Sequence, residues 1–180
     1  GLVETRRGQG GGSFIRHNVS ASAAAARRRL YRMSSHDLVD LTDMQRAVSG
    51  QASRLAATRG TPDFVARLGS HLDHFDTADS VDARMRIDGR FLIEVAAASQ
   101  SVRLTRAEMR LQAEANELRW LAPGDDDPLA LDAREVVATH RRLVAAIDAA
   151  DGVAAQAIAE ERIDADLQRL VALHMRLLGT

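Results

Sequence analysis

Two polar residues interrupt helical stripes that are otherwise apolar, and they are the first candidates for chemistry in this sequence. Asp88 follows Met85 by three residues and precedes Leu92 by four, and His140 lies four residues after Val136. This spacing points both side chains into the protein interior. An unpartnered buried carboxylate costs several kcal/mol, so Asp88 requires a cation, a metal ion or a set of hydrogen-bond donors. The simpler alternative is that Asp88 meets an arginine and His140 bonds a backbone group.

Other candidate sites are weaker. His71 and His74 share a helix face, but neighbouring acidic residues favour a solvated surface there. Trp120 lies at a helix end and favours packing. No Ser-His-Asp or Cys-His spacing occurs, and an enzyme would have to use Asp88 and His140 as acid and base in an open cleft. The sequence therefore predicts that the chain is not an enzyme.

The elements that must position these residues are helices. From Asp37 onward the apolar residues recur at helical spacing, with Pro62 at a first-turn position and a clear break at APGDDDP. The links between segments are short, so neighbouring helices should pack antiparallel. Residues 37–180 are predicted to form an all-α antiparallel bundle of about six helices. Residues 19–36 are predicted to form a helical linker, and residues 1–18 two short strands joined by a glycine loop.

The charge is unevenly distributed. Residues 1–36 hold seven arginines and one acid, whereas residues 37–180 hold 17 arginines and 24 acids. A basic start favours contact with a polyanion, and the alternative is a solvated arginine-rich tail. The chain has no lysine, which excludes a P-loop phosphate site. It also has no cysteine, no signal-peptide pattern and no long apolar run, which predicts a cytoplasmic protein that does not enter a membrane.

Several motifs, taken in order, resemble one family of regulators. The opening GLVETRRGQGGGSF resembles the wing hairpin of a winged helix-turn-helix domain, and DLVDLTDMQRAVSGQASRLAATR resembles a first bundle helix. DGRFL (88–92), AAASQS (96–101) and HRRLVAAIDAADGVAA (140–155) follow at similar spacing. Together they resemble the GntR transcriptional regulators of the FadR C-terminal, or FCD, subfamily.

The resemblance implies a division of labour along the chain. Residues 1–18 would be the remnant wing, where Arg6, Arg7 and Gln9 contact operator DNA, and the recognition helix would lie upstream. Residues 19–36 would be a helical linker in which the Arg27–Arg32 helix acts as a lever, and residues 37–180 an effector-binding and dimerisation domain. The expected protein is a homodimeric, DNA-binding regulator that senses a small molecule.

The metal site of the family is only partly matched. Many FCD domains hold a divalent metal through one Asp and three His, and the metal holds a carboxylate effector. Asp88 and His140 match two of those places, whereas Leu92 and Arg162 replace the other two. Two ligands are too few for a stable site, so no tightly bound metal is expected.

The remaining family positions are also changed, and they leave alternatives open. Gln45 and Ser49 replace an Arg and a Glu of the first bundle helix, and Ser101 replaces an Asn. The predicted effector site comprises Asp88, His140, Arg162, Gln45 and Ser101. Arg162 could bind the carboxylate of an effector, or it could pair with Asp88 and leave an inert dimerisation bundle. A metal held with the help of Glu94 and water is a third alternative.

Overall fold

The computed structural model describes residues 3–5, 13–15, 19–122 and 127–179. Near its start, strand β1 (Val3–Thr5) pairs antiparallel with strand β2 (Ser13–Ile15), and Glu4 lies opposite Phe14. The predicted DNA contacts Arg6, Arg7 and Gln9 lie outside the described residues. The assignment of this region to a wing therefore stays a prediction.

All other regular elements of the described chain are helical. They are α1 (Val19–Arg32), α2 (Ser35–Gln45), a π-helical turn (Arg46–Gly50), α3 (Gln51–Arg59), α4 (Pro62–Asp76), α5 (Val81–Ala98), α6 (Val102–Arg119), α7 (Ala133–Asp148) and α8 (Gly152–Leu178). The predicted all-α bundle is confirmed. The first of the six predicted helices is divided by the π-helical turn, which widens the helix by one residue between α2 and α3.

Local sequence signals set the helix ends. Ser34 begins α2 with a capping box that involves Asp37, and Asp151 begins α8 by accepting the Ala154 N–H. Two tight links follow α5 and α7, and each contains a residue with positive φ: Gln100 at 55° and Ala150 at 56°. These short links hold α5 against α6 and α7 against α8 as antiparallel neighbours.

The core has two apolar clusters with polar residues between them along α8. The first cluster joins α3, α4, α5 and α7 around Phe91 and Leu68, and it reaches Ala155 near the start of α8. The second joins α1, α2, α6 and the end of α8, where Leu170 contributes. Between these two ends of α8 lie buried polar residues, among them Arg162. The bundle therefore encloses a charged layer that its fold must neutralise.

Helix α1 is attached to the bundle. Leu30 is fully buried, and its carbonyl oxygen lies 3.0 Å from Nδ1 of His174 on α8. Arg29 forms an ion pair with Glu114 of α6 at 2.8 Å. Any displacement of α1 must therefore disturb contacts with both α6 and α8.

No helix in the described ranges combines the length and the apolar character needed to cross a membrane.

Candidate functional site

Asp88 is completely enclosed at the centre of the bundle. Its Oδ1 lies 2.7 Å from Nε2 of His140, and its Oδ2 accepts hydrogen bonds from Nε1 of Trp120 at 2.7 Å and from Nη1 of Arg119. Burial alone would raise the pKa of the carboxyl group. The Arg119 charge and the hydrogen bonds from His140 and Trp120 outweigh this effect of burial, and they hold the pKa of Asp88 well below its usual range. The inward position predicted from the helical stripe is confirmed.

His140 is the neutral partner in this arrangement. Only 1% of it is exposed, and its ring stacks on Phe91 with the centroids 4.1 Å apart. Burial lowers the pKa of His140 despite the neighbouring Asp88, so the imidazole is uncharged at neutral pH. Because a carboxylate only accepts hydrogen bonds, the proton is assigned to Nε2. Nδ1 then carries a lone pair with no donor among the described residues.

Arg119 links two buried carboxylates that come from different helices. It bonds Asp88 of α5 through Nη1, and its Nε donates to Oδ2 of Asp166 on α8 at 2.7 Å. Nη1 of Arg162 donates to the same Asp166 oxygen at 2.9 Å. The suggestion that Arg162 pairs with Asp88 is therefore wrong: the partner of Asp88 is Arg119, and Arg162 pairs with Asp166.

The free edge of Arg162 is the most unusual feature of this network. Its Nε and Nη2 are both buried, and neither has an acceptor among the described residues. These two N–H groups lie on one edge of the planar guanidinium, which is the edge that holds a carboxylate with two parallel hydrogen bonds. Burial lowers the pKa of Arg162, which reflects the cost of leaving this charge poorly solvated.

Arg162 forms part of the wall of a cavity of about 260 Å³ between α7 and α8. Four residues at the start of α7, counting its cap residue, and four residues of α8 line the cavity, each set at the spacing of a single helical face. They are Asp132, Glu135, Val136 and Thr139 at the start of α7, and Arg162, Ala165, Asp166 and Arg169 on α8. Asp132 itself precedes the first residue of α7 and caps it.

The link between α6 and α7 covers one end of the cavity. Arg169 holds this link by donating to the carbonyl oxygens of Arg119, Leu121 and Leu129. The cavity is thus bounded on two sides by charged residues.

Not every predicted site residue reaches this cavity. Asp88 and His140 lie behind Arg119 and do not line it. Gln45 is buried on α2, and Ser101 caps α6 by accepting the Leu104 N–H at 3.3 Å. The structure therefore brings Asp88 and His140 together and leaves Gln45 and Ser101 outside the cavity lining. Arg162 is connected to Asp88 only through Asp166 and Arg119.

Besides Asp88 and Asp166, the bundle buries the carboxyl group of Glu108, which the sequence reasoning did not single out. Glu108 of α6 accepts a bond from Oγ of Ser49 at 2.7 Å and one from Nε2 of Gln112 at 2.6 Å. Burial raises the pKa of Glu108, and these two hydrogen bonds only partly oppose the effect. Ser49 lies in the π-helical turn, so the widened turn carries the hydroxyl that reaches Glu108.

The donor set around Asp88 does not fit the metal site of the family. Leu92 belongs to the apolar cluster, and both Asp88 oxygens already accept hydrogen bonds. A divalent cation at Asp88 would lie against the guanidinium of Arg119, and like charges repel. Among the described residues, no three His, Cys, Asp or Glu side chains converge on a point where a metal could bind.

Comparison with known proteins identifies the family. The FCD domain family matches residues 40–177. The chain belongs to the FCD domain family. RmpR of Mycobacterium gastri, which is named as an HTH-type transcriptional regulator, is 32% identical to this FCD domain protein over 171 residues. That alignment covers 95% of the chain and 62% of RmpR.

A solved structure shows the same fold. The GntR protein of Streptococcus agalactiae superposes with a TM-score of 0.60 at 18% sequence identity, over 93% of this chain and 74% of that one. The resemblance to GntR-type regulators with an FCD domain is therefore confirmed. The match to a regulatory domain family agrees with the prediction that the chain is not an enzyme.

Proposed function

We propose that this FCD domain senses a small carboxylate through Arg162 and controls the DNA binding of a dimeric transcriptional regulator. The observation that carries the proposal is that Arg162 lines a cavity while its buried Nε and Nη2 lack an acceptor within the described residues. A bound carboxylate would supply two acceptors and a negative charge to a guanidinium that burial has destabilised. Neither Asp88 nor a metal ion is needed to hold it.

The same proposal gives a role to each of the other parts of the chain. Residues 1–18 would form the wing, with Arg6, Arg7 and Gln9 on the DNA, and residues 37–180 the sensing and dimerisation domain. Residues 19–36 would be the helical linker and its Arg27–Arg32 helix the lever, because the carbonyl oxygen of Leu30 in that segment contacts His174 of α8. A ligand that binds one arrangement of α8 more tightly would shift the population of dimer geometries and, by linkage, the affinity for operator DNA.

The test is thermal unfolding of the protein with a panel of small mono- and dicarboxylates, each with and without EDTA. We expect stabilisation that persists in EDTA and is absent in Arg162→Leu. Stabilisation abolished by EDTA would show that a metal holds the ligand. Light scattering after gel filtration would test the dimer, and a monomer at micromolar concentration would contradict that part of the proposal.

The lever has its own test in the full-length regulator. Lengthening the helix across residues 27–32 by one turn should change the operator affinity and leave the carboxylate affinity unchanged. Unchanged operator binding would refute the lever.

One observation favours a second candidate, a dimerisation bundle that responds to no ligand. Asp88 is sealed by Arg119, Trp120 and His140, so the part of the interior that matches the metal site of the family is closed. An unfolding temperature that no carboxylate changes would favour this candidate.

A further inference from the structure

The outward side of α1 carries three arginines that have no counter-charge in the bundle. Arg27, Arg28 and Arg32 are exposed, and their side chains form no hydrogen bond or ion pair with any residue that the structure describes. Arg29 differs, because it is turned toward α6 and forms an ion pair with Glu114 at 2.8 Å. Three guanidinium groups on one short helix are therefore available to an anionic partner.

These three arginines share one side of α1 with Tyr31. Positions 27, 28, 31 and 32 are one, four and five residues apart, which places their side chains next to one another on a helix. The opposite side of α1 is buried through Ala26 and Leu30, in the cluster that includes residues of α6 and α8. Because that side is packed on the bundle, the exposed side points to solvent. We call it the arginine face; its members are Arg27, Arg28, Tyr31 and Arg32.

The length of the arginine face matches the spacing of phosphates in DNA. Arg27 and Arg32 are five residues apart, which is about 7.5 Å along the helix axis. One strand of a duplex carries a phosphate about every 3.4 Å along its axis, so this length corresponds to about two steps between phosphates. Three arginines can therefore contact three successive phosphates, and the exposed hydroxyl of Tyr31 can donate to an oxygen of the same strand.

The place of α1 in the chain favours DNA over an acidic protein as the partner. Strand β2 ends at Ile15 and α1 begins at Val19, so these two ends are at most about 14 Å apart. Arg27 follows Val19 by eight residues, or about 12 Å along α1. The arginine face therefore begins within roughly 26 Å of the strands that we assign to the wing, which is less than the roughly 34–36 Å of one turn of a duplex.

We propose that the arginine face of α1 binds the phosphate backbone of DNA next to the site of the wing. This inference rests on the proposed function, because it requires that the regulator binds DNA. The contact does not depend on base sequence, and it makes the affinity more sensitive to salt, since each neutralised phosphate releases counterions. The Leu30 carbonyl oxygen lies 3.0 Å from Nδ1 of His174, so a movement of α8 displaces these arginines relative to the DNA.

The salt dependence of DNA binding tests this contact. Fluorescence anisotropy follows the binding of the full-length regulator to a labelled duplex of about 30 base pairs, of arbitrary sequence, from about 20 to about 80 mM NaCl. The test variant combines Arg27→Gln, Arg28→Gln and Arg32→Gln, which keep the helix because Gln and Arg have similar helix propensities. It should reduce the slope of log K against log[NaCl] by about 2.7, at about 0.9 for each phosphate contact. The affinity advantage of the natural regulator then falls about 40-fold across this range of salt.

A matched control removes the same charge from other parts of the surface. It combines Arg54→Gln, Arg90→Gln and Arg134→Gln, three exposed side chains of α3, α5 and α7 that likewise have no partner among the described residues. Arg54 lies beside Gly152, at the end of α8 opposite to His174. The control variant should leave the slope unchanged.

Tyr31→Phe separates the hydroxyl from the charges. It should weaken binding about threefold at every salt concentration and leave the slope unchanged, because a neutral hydrogen bond releases no counterion.

The outcomes separate the inference from the proposed function. Equal slopes for the arginine-face variant and the control variant overturn the inference and leave the proposed function standing, because the regulator still binds DNA. If the natural regulator does not bind the duplex at low salt, both are overturned. Poly-L-glutamate at the same concentration of negative charge tests an acidic partner. If it binds the natural regulator as tightly as the duplex does and loses as much affinity in the arginine-face variant, the partner is an acidic protein and the inference is overturned.

Discussion

Replacing Asp88 with Asn should destabilise the bundle by about 3–5 kcal/mol at neutral pH, the range found when one member of a buried ion pair is removed. Asp88 is wholly buried and accepts bonds from Arg119, Trp120 and His140. Asn keeps the shape but removes the charge, which leaves Asp166 as the one carboxylate partner of Arg119 among the described residues. For a domain of this size the loss corresponds to a fall in Tm of roughly 6–20 °C, since 1 kcal/mol shifts Tm by about 2–4 °C.

The pH dependence of this difference gives a second, independent measurement. The pKa of Asp88 is held below its value in the unfolded chain, which is about 3.9. The stabilisation by the ionised carboxylate is therefore fully present above that value and is lost as the pH falls toward the folded-state pKa. In urea unfolding experiments, the gap between the natural chain and Asp88→Asn should stay constant from about pH 5 to pH 8 and shrink below about pH 4.

An exposed ion pair provides the control for Asp88→Asn. Asp76 pairs with Arg141 at the surface, with roughly half of each side chain exposed, and Asp76→Asn should change the unfolding free energy by less than about 1 kcal/mol. A change of under about 1 kcal/mol for Asp88→Asn at pH 7 would refute the reasoning, because it would mean that the buried carboxylate is not the counter-charge of Arg119. A gap that widens at acidic pH would refute it as well.

Four further substitutions test the stability of the bundle and the attachment of α1. Gly69→Ala should stabilise the protein by about 0.5–1 kcal/mol, because the position is helical and a Cβ there meets no atom within 4 Å. Gly89→Ala should lower Tm instead, because its Cβ would lie 2.7 Å from the side-chain nitrogen of Asn116 on α6. Thermal melts of both variants test this, and a change of the same sign in the two variants would contradict it. Burial raises the pKa of Glu108, so the contribution of this residue to stability falls as the pH rises above the unfolded-state pKa of about 4.3. In urea unfolding at pH 8, Glu108→Gln should therefore be at least as stable as the natural chain. A clear loss of stability would show that the ionised form of Glu108 is favoured. His174→Phe removes the bond to the Leu30 carbonyl and should speed amide hydrogen exchange in α1, while exchange in α4 stays unchanged. If exchange in α1 is equally fast in the variant and the natural chain, the bond does not hold α1 on the bundle.

The bundle and its inward-facing polar residues could be predicted from periodicity alone. The steps of three and four around Asp88 and His140 determine which face each side chain occupies, and both are buried. The short links and the breaker after α6 similarly indicated antiparallel helices. These properties depend on residues close together in sequence.

The partner of Asp88 could not be predicted in this way. It depends on how α6 and α8 pack against α5, and the periodicity of each helix contains no information about that contact. Arg119 lies next to a predicted helix end, where arginine commonly serves as a solvated C-terminal charge, so nothing in its position indicated burial. The pairing of Arg162 with Asp166 did have a sequence signal, since the two are four residues apart on one helix.

The π-helical turn between α2 and α3 has a consequence for comparing this chain with its relatives. From Val48 in the turn to Ala52 and Ala56 in α3, buried residues recur in steps of four, and such steps would drift around a regular α-helix by about 40° at each repeat. The wide turn absorbs one additional residue. Relatives whose corresponding helix is regular should therefore be one residue shorter between α2 and α3. An alignment that permits no gap at residues 46–50 would pair Ser49 with a residue that faces a different neighbour.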